Sequence, residues 1–251
     1  MRLRAGVASD VGLVRQTNED SYLVRRGLYA VCDGMGGARA GEIASEMACR
    51  GLMDLDPATV DRRMLMETVE EINRSIALQS AQEADLAGMG TTLTALVAGQ
   101  RRLLLVHVGD SRAYLLRENV LQQVTEDHSW VGEMMRRGEL TPAEAAVHPH
   151  RSVITKALGS EHDVLPDVVQ LELEDGDRWL LCSDGLTGMV GDGIIERELG
   201  GNDDPQTAAE QLVEAALAAG GEDNVTVVVV FFGPEDETDA ADDADQTLLG
   251  P

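Results

Sequence analysis

Lysine is almost missing from this 251-residue chain: Lys156 stands alone among 20 basic residues, against 45 acidic ones. The formal net charge of −25 at pH 7 excludes a nucleic-acid backbone as partner, because such a surface repels it. An anionic substrate would need cations supplied locally. Aromatic residues make up only 3% of the chain, so a core must rely on Leu, Val, Ala and Met. The three cysteines, Cys32, Cys49 and Cys182, have the spacing of neither a disulfide framework nor a zinc site. They read as small buried hydrophobes in a reducing compartment. No apolar run approaches the roughly 20 residues needed to span a bilayer. Met1-Arg-Leu-Arg leads straight into strand-like sequence, without the pattern of a signal peptide. A cytoplasmic protein without a membrane partner is expected.

The length suits one large domain or two small ones with a substantial core, and an apolar content of 43% is ordinary for a globular protein. Residues 3–8, 21–24 and 28–32 read as strands. Residues 41–52 carry an apolar stripe at helical spacing. Asp56-Pro57 marks the start of a second helix, running to about residue 83 with Met64, Leu65, Val69, Ile72, Ile76 and Leu78 on its apolar side. The pattern then turns to period two and to solid apolar runs at 91–98, 103–108, 113–116 and 120–124. Short links between them predict antiparallel pairing. Residues 129–137 and 142–147 are short helical pieces. Residues 168–173 and 179–182 look like a hairpin, residues 194–199 and 205–219 like helices, and 225–232 like a last strand. The segment 234–251 carries seven acids and no base, and reads as a disordered tail. The order predicts two packed antiparallel sheets with helices outside.

Chemistry concentrates where apolar runs end. Leu28-Tyr-Ala-Val-Cys-Asp33 stops in glycines, Leu103-Leu-Leu-Val-His-Val-Gly-Asp110 stops in an acid, and Trp179-Leu-Leu-Cys-Ser-Asp184 repeats the pattern. Asp223 stands just before the strand at 225. In an antiparallel sheet the end of one strand lies beside the start of its neighbour, so four acids can gather on one edge. Gathered carboxylates repel unless something positive sits among them. Hard divalent cations such as Mg²⁺ or Mn²⁺ meet that need, with Asp33, the Gly34 carbonyl, Asp184 and Asp223 as donors. A pair of such ions clamps a phosphoryl group for in-line displacement, and would admit phosphate into an acidic protein. Arg15 has the planar fork that grips two phosphate oxygens. His107, inside an apolar strand, reads as a satisfied core residue, and His128 as a tether of its turn. His148 and His150 read as solvated loop residues.

Seven blocks stand in one order along the chain. They are Arg15-x-x-Asn-Glu-Asp20, Val31-x-Asp-Gly-Met-Gly-Gly37, Gly90-Thr-Thr92, Val108-Gly-Asp-Ser-Arg112, Ile154-Thr-Lys-Ala-Leu-Gly159, Ser183-Asp-Gly-Leu186 and Glu222-Asp-Asn-Val-Thr226. Over residues 1–233 the chain resembles the catalytic domain of bacterial protein phosphatase 2C, the metal-dependent PPM family. That resemblance implies an α+β fold, a four-layer α/β/β/α sandwich of two antiparallel sheets flanked by helices, with a flap at about 129–165. It implies hydrolysis of phosphoserine and phosphothreonine in proteins by a metal-bridged hydroxide, in a single displacement without a phosphoenzyme. By position, Asp33 resembles the carboxylate bridging two metals, with Gly34, Asp184 and Asp223 as further ligands. Asp110 resembles the ligand of a third ion, and Glu19 and Asp20 resemble acceptors for metal-bound water. Arg15 resembles the phosphate-binding arginine. The implied cofactors are two Mn²⁺ or Mg²⁺ ions and a third; the implied partners are phosphoprotein substrates of a serine/threonine kinase, met by a monomer. Met35 stands where several eukaryotic relatives carry a histidine as general acid, so the acid is a metal-bound water, a flap group such as His148 or His150, or nothing specific, and that role stays empty. It also leaves a rival reading, a pseudophosphatase that binds phosphoproteins as a scaffold.

Overall fold

The computed structural model describes residues 2–36, 40–99, 102–159, 163–233 and 247–251. The chain opens with three strands, β1 (Arg2–Asp10), β2 (Asp20–Arg25) and β3 (Leu28–Met35), then two helices, α1 (Ala40–Leu52) and α2 (Arg62–Gln82). Next come β4 (Gly90–Thr91), β5 (Leu93–Ala98), β6 (Arg102–Val108), β7 (Arg112–Arg117) and β8 (Val120–Gln123). Short helices α3 (Trp130–Arg136) and α4 (Pro142–Ala146) precede β9 (Asp167–Glu172) and β10 (Arg178–Cys182). Helices α5 (Asp184–Thr187), α6 (Asp192–Gly201) and α7 (Pro205–Ala218) lead to β11 (Val225–Gly233) and β12 (Leu248–Gly250). Among the described residues no helix is long and apolar enough to cross a membrane.

One sheet has the order β1-β11-β10-β7-β8 and the other β12-β2-β3-β5-β6-β9, with β4 paired to β3. The pairs are antiparallel throughout. Alternation along the strands sorts the side chains into layers. Tyr29 and Val31 of β3 enter the space between the sheets, where they join Trp179, Leu181, Val228 and Val230. Their neighbours Leu28, Ala30 and Cys32 pack under α1 and α2, against Ala44, Ala48, Leu65 and Val69. On the far side Leu180, Cys182, Val227 and Val229 pack under α6 and α7, against Ile195, Leu199 and Leu212. The central strands are thus covered on both faces, which is why they read as solid apolar runs rather than as alternation. The molecule is the four-layer α/β/β/α sandwich expected.

Three local expectations are corrected. Helix α2 starts five residues late: Asp56 accepts from the Ala58 amide at 3.0 Å in a turn, while Asp61 is the true cap, accepting from the Met64 amide at 2.8 Å. Strands β9 and β10 are not a hairpin. β9 pairs β6 in one sheet and β10 pairs β7 and β11 in the other. The turn between them is a corner joining the two sheets, fixed by buried Asp177, whose Oδ2 lies 2.7 Å from Arg117 Nη2. The expected disordered tail also ends in structure. Residues 234–246 lie outside the described residues, but Leu248–Gly250 forms β12 on the edge of β2, with Leu249 packed against the core.

Candidate metal centre

Asp33 sits two residues from the end of β3, directly opposite Asp20, the first residue of β2. The Gly34 amide donates to the Glu19 carbonyl at 3.1 Å. Only glycine fits there: a Cβ on Gly34 would lie 2.2 Å from the Gly41 oxygen and 2.4 Å from the Glu19 oxygen. The pair Glu19-Asp20 and the pair Asp33-Gly34 are therefore locked side by side. Thr91 and Thr92 hold the other flank of Asp33. The Asp33 amide donates to Thr92 Oγ1 at 2.8 Å, and Thr91 Oγ1 donates to the Asp33 carbonyl at 3.0 Å.

The second sheet brings its own strand ends to the same place. Asp184 opens α5 just after β10, and Asp223 stands two residues before β11. Ser183 ties them to the first sheet: its hydroxyl donates to Asp20 Oδ2 at 2.8 Å and accepts from the Thr226 amide at 3.0 Å. Asn224 ties in the loop that carries Arg15. Its Nδ2 donates to the carbonyls of Val11 and Thr17, each at 2.9 Å, and its Oδ1 accepts from the Glu19 amide at 2.8 Å. Arg15 Nη2 lies 2.7 Å from Asp223 Oδ2. Asp110 sits in the link that carries the chain from β6 in one sheet to β7 in the other. The link turns at Gly109 (φ +111°), where a Cβ would strike the Thr92 side chain at 2.5 Å. Thr92 in turn bonds Ser111 at 2.7 Å, connecting this link to Asp33.

Crowded carboxyls hold their protons. Loss of water pushes Asp33 well above the ordinary carboxylate range, and the charges of Asp20, Asp184, Asp110 and Asp223 add to the push. Burial raises Asp20 to about 7, against the opposing hydroxyls of Ser183 and Thr226. Asp110 is also pushed up to about 7, by burial first and then by Asp184 and Asp127. Asp184 is raised by burial and by Asp223, and lies in hydrogen-bonding contact with Asp33. Glu19 is raised, chiefly by burial. Asp110 Oδ1 is buried with no hydrogen-bond partner among the described residues. All-oxygen donors that repel one another, with an orphaned acceptor among them, fit a hard divalent cation.

The structure therefore brings together every residue the sequence singled out: Arg15, Glu19, Asp20, Asp33, Gly34, Asp110, Asp184 and Asp223. Their ligand spacing is a separate matter. Among the described residues no three His, Cys, Asp or Glu side chains already surround one point as a metal would require. Asp223 is engaged by Arg15, and Asp184 is in hydrogen-bonding contact with Asp33. The sequence reading gave no individual role to Thr92, Ser183 or Asn224, whose side chains join the two sheets. For Ser183 and Asn224 the available signal was a small polar residue immediately beside a proposed ligand, Asp184 and Asp223; Thr92 carried no such signal. His107 is the core residue expected, 1% exposed and bonded to Thr94 at 2.9 Å and to the Glu126 carbonyl at 3.1 Å. His148 and His150 are loop residues as expected, half-buried and exposed respectively, with both rings in contact with Trp130.

Residues 14–215 match the family model described as Protein phosphatase 2C. The serine/threonine protein phosphatase PstP of Mycobacterium tuberculosis is 47% identical over 196 residues, which is 77% of this chain but only 38% of that relative's length. A serine/threonine phosphatase stp of Listeria monocytogenes is 42% identical over 209 residues, 78% of this chain and 83% of the relative. Among solved structures, the catalytic domain of PstP in complex with two manganese ions superposes with a TM-score of 0.85 at 43% identity, covering 92% of this chain and 99% of that one.

Proposed function

This chain belongs to the protein phosphatase 2C family, and on that premise we propose that it hydrolyses phosphoserine and phosphothreonine in proteins. The observation that carries the reading is the meeting of Asp33, Asp20, Asp184, Asp223 and Asp110 at strand ends drawn from both sheets. Asp33, the Gly34 carbonyl, Asp184 and Asp223 would hold two divalent ions, Mn²⁺ or Mg²⁺, with Asp110 and Asp184 at a third. The manganese bound by PstP and the unpartnered Asp110 oxygen support that assignment. When bound, the cations neutralise the carboxylates and activate water for attack on phosphorus.

The protein's own groups do the rest. Arg15, released from Asp223, grips two phosphate oxygens through its planar fork and fixes the phosphorus for in-line attack. Glu19 and Asp20, held beside Asp33, accept hydrogen bonds from water in the site. Met35 has no proton to give, and His148 and His150 contact Trp130, one stacked and one edge-on; the leaving alkoxide has no assigned side-chain acid. The substrates we propose are targets of a serine/threonine kinase. Three free, buried cysteines support a reducing, cytoplasmic setting, and we read the enzyme as a monomer. The scaffold alternative finds no support in the relatives, which are named phosphatases.

Turnover of p-nitrophenyl phosphate and of a phosphothreonine peptide with Mn²⁺ tests the reading. Asp33→Asn should lower it at least about a hundredfold, and a chelator should abolish it. Turnover that survives both changes would exclude this chemistry.

A further inference from the structure

The chain's only lysine lines a cavity. Between α3 and residues 155–156 lies a space of about 420 Å³, lined by His128, Glu133, Arg136, Arg137, Thr155 and Lys156. Three of the six are permanent cations, in a protein of net charge −25. How tightly they are already engaged decides what the cavity can do. Arg112 offers the contrast: it meets Asp127 through three short bonds, with both side chains largely buried, and serves the fold.

The cavity cations keep donors that no close carboxylate takes. Arg136 Nη1 donates to the Asp127 carbonyl at 3.0 Å, but its Nε lies 3.6 Å from Glu126, Arg137 Nη2 lies 3.7 Å from Glu133, and Lys156 Nζ lies 3.6 Å from Asp167. A charge-assisted hydrogen bond is about 2.7–2.9 Å long. Glu126 and Asp167 are 70% and 50% exposed, so such pairs add little. His128 sharpens the point. Its Nδ1 accepts from the Gly109 amide at 3.0 Å, so Nε2 carries the proton and donates to Asp167 Oδ2 at 3.0 Å. Lys156 Nζ, 3.2 Å from that protonated nitrogen, finds no acceptor there. Its described bond goes to the Leu165 carbonyl at 3.1 Å, which leaves ammonium donors for a ligand.

An anion with three exposed acceptor oxygens answers Arg136, Arg137 and Lys156 together. We infer that this cavity is a phosphate-binding subsite, separate from Arg15. It lies close to the candidate metal centre, because the His128 amide also donates to the Gly109 carbonyl at 2.7 Å, one residue from Asp110. Two sources share the chemistry: free inorganic phosphate, or a second phosphate on the same substrate. Only the second source rests on the phosphatase reading.

A lone lysine makes the test specific. The full chain, labelled with ¹⁵N-lysine, gives one side-chain nitrogen signal, followed while inorganic phosphate is added to the chelator-treated protein. The expected result is a saturable shift of Lys156 Nζ in the millimolar range. The shift should disappear in the double variant Arg136→Gln/Arg137→Gln with its melting temperature preserved. Should that variant not fold, Arg137→Gln alone, whose side chain is 61% exposed, should weaken binding severalfold. A Lys156 signal that does not saturate, or that saturates equally in the folded variants, overturns the subsite. Peptides carrying one or two phosphoserines then separate the sources on the Mn²⁺-loaded enzyme. A lower KM for the doubly phosphorylated peptide, lost in the variant, assigns the subsite to substrate. Equal KM values with an intact Lys156 response assign it to free phosphate. Absence of all turnover would fail the phosphatase reading, and the Lys156 titration would stand on its own.

Discussion

Asn224 is uncharged and was given no role on sequence grounds, yet its side chain anchors the Arg15 loop at Val11, Thr17 and Glu19. Val11, Thr17 and Glu19 are not themselves buried, so each of the three lost hydrogen bonds costs about 0.5–1.5 kcal/mol. Asn224→Ala should therefore lower stability by about 2–3 kcal/mol in urea denaturation and raise KM for a phosphopeptide by loosening Arg15. An unchanged midpoint would mean that water replaces the amide. The acids were legible because an apolar run that ends in Asp is unusual chemistry. Asn224, Ser183 and Thr92 were not, because a short polar side chain in a loop looks the same whether it caps a turn or joins two sheets. Ser183 and Asp20 are 163 positions apart, and nothing in the local pattern announces that contact.

Helix α2 shows where pattern reading lost precision. Helical spacing places both Met64 and Leu65 on its apolar side, but Leu65 is fully buried under the sheet while Met64 is 44% exposed. Leu65→Ala should cost about 2–5 kcal/mol, and Met64→Ala should stay within about 0.5 kcal/mol. Paired denaturant titrations check this, and equal losses would contradict the packing. The helix start was misplaced for a related reason. Asp56-Pro57 and Asp61 both carry capping chemistry, and only the stripe Leu65, Val69, Ile72, Ile76, aligned on the sheet, decides between them. The β9–β10 corner reads as a hairpin in sequence because a turn that changes sheets and a turn that folds back have the same polar composition. The strands themselves were legible, since coverage on both faces leaves long apolar runs.

For the molecule as a whole, the layered architecture followed from element order, whereas the pairing of individual strands across it did not. The assembled cluster of acids has a cost that spreads to global stability. Asp20 and Asp110 hold protons up to about pH 7 in the folded chain, but ionise near 3.9 when unfolded. Between those values the folded state binds more protons, so unfolding free energy falls as pH rises. The metal-free chain should therefore melt progressively lower from about pH 5 to pH 7, and Asp110→Asn should flatten that slope. A melting temperature that rises with pH would reverse the sign. The account's central claim is that both sheets deliver their strand-end acids to one pair of ions. The most direct measurement is anomalous diffraction at the manganese edge from crystals of the chain grown with Mn²⁺. It should show two peaks about 3.5–4 Å apart, with Asp33 between them and Asp184 and Asp223 in contact. Manganese found away from these three carboxylates, or none bound, would contradict it.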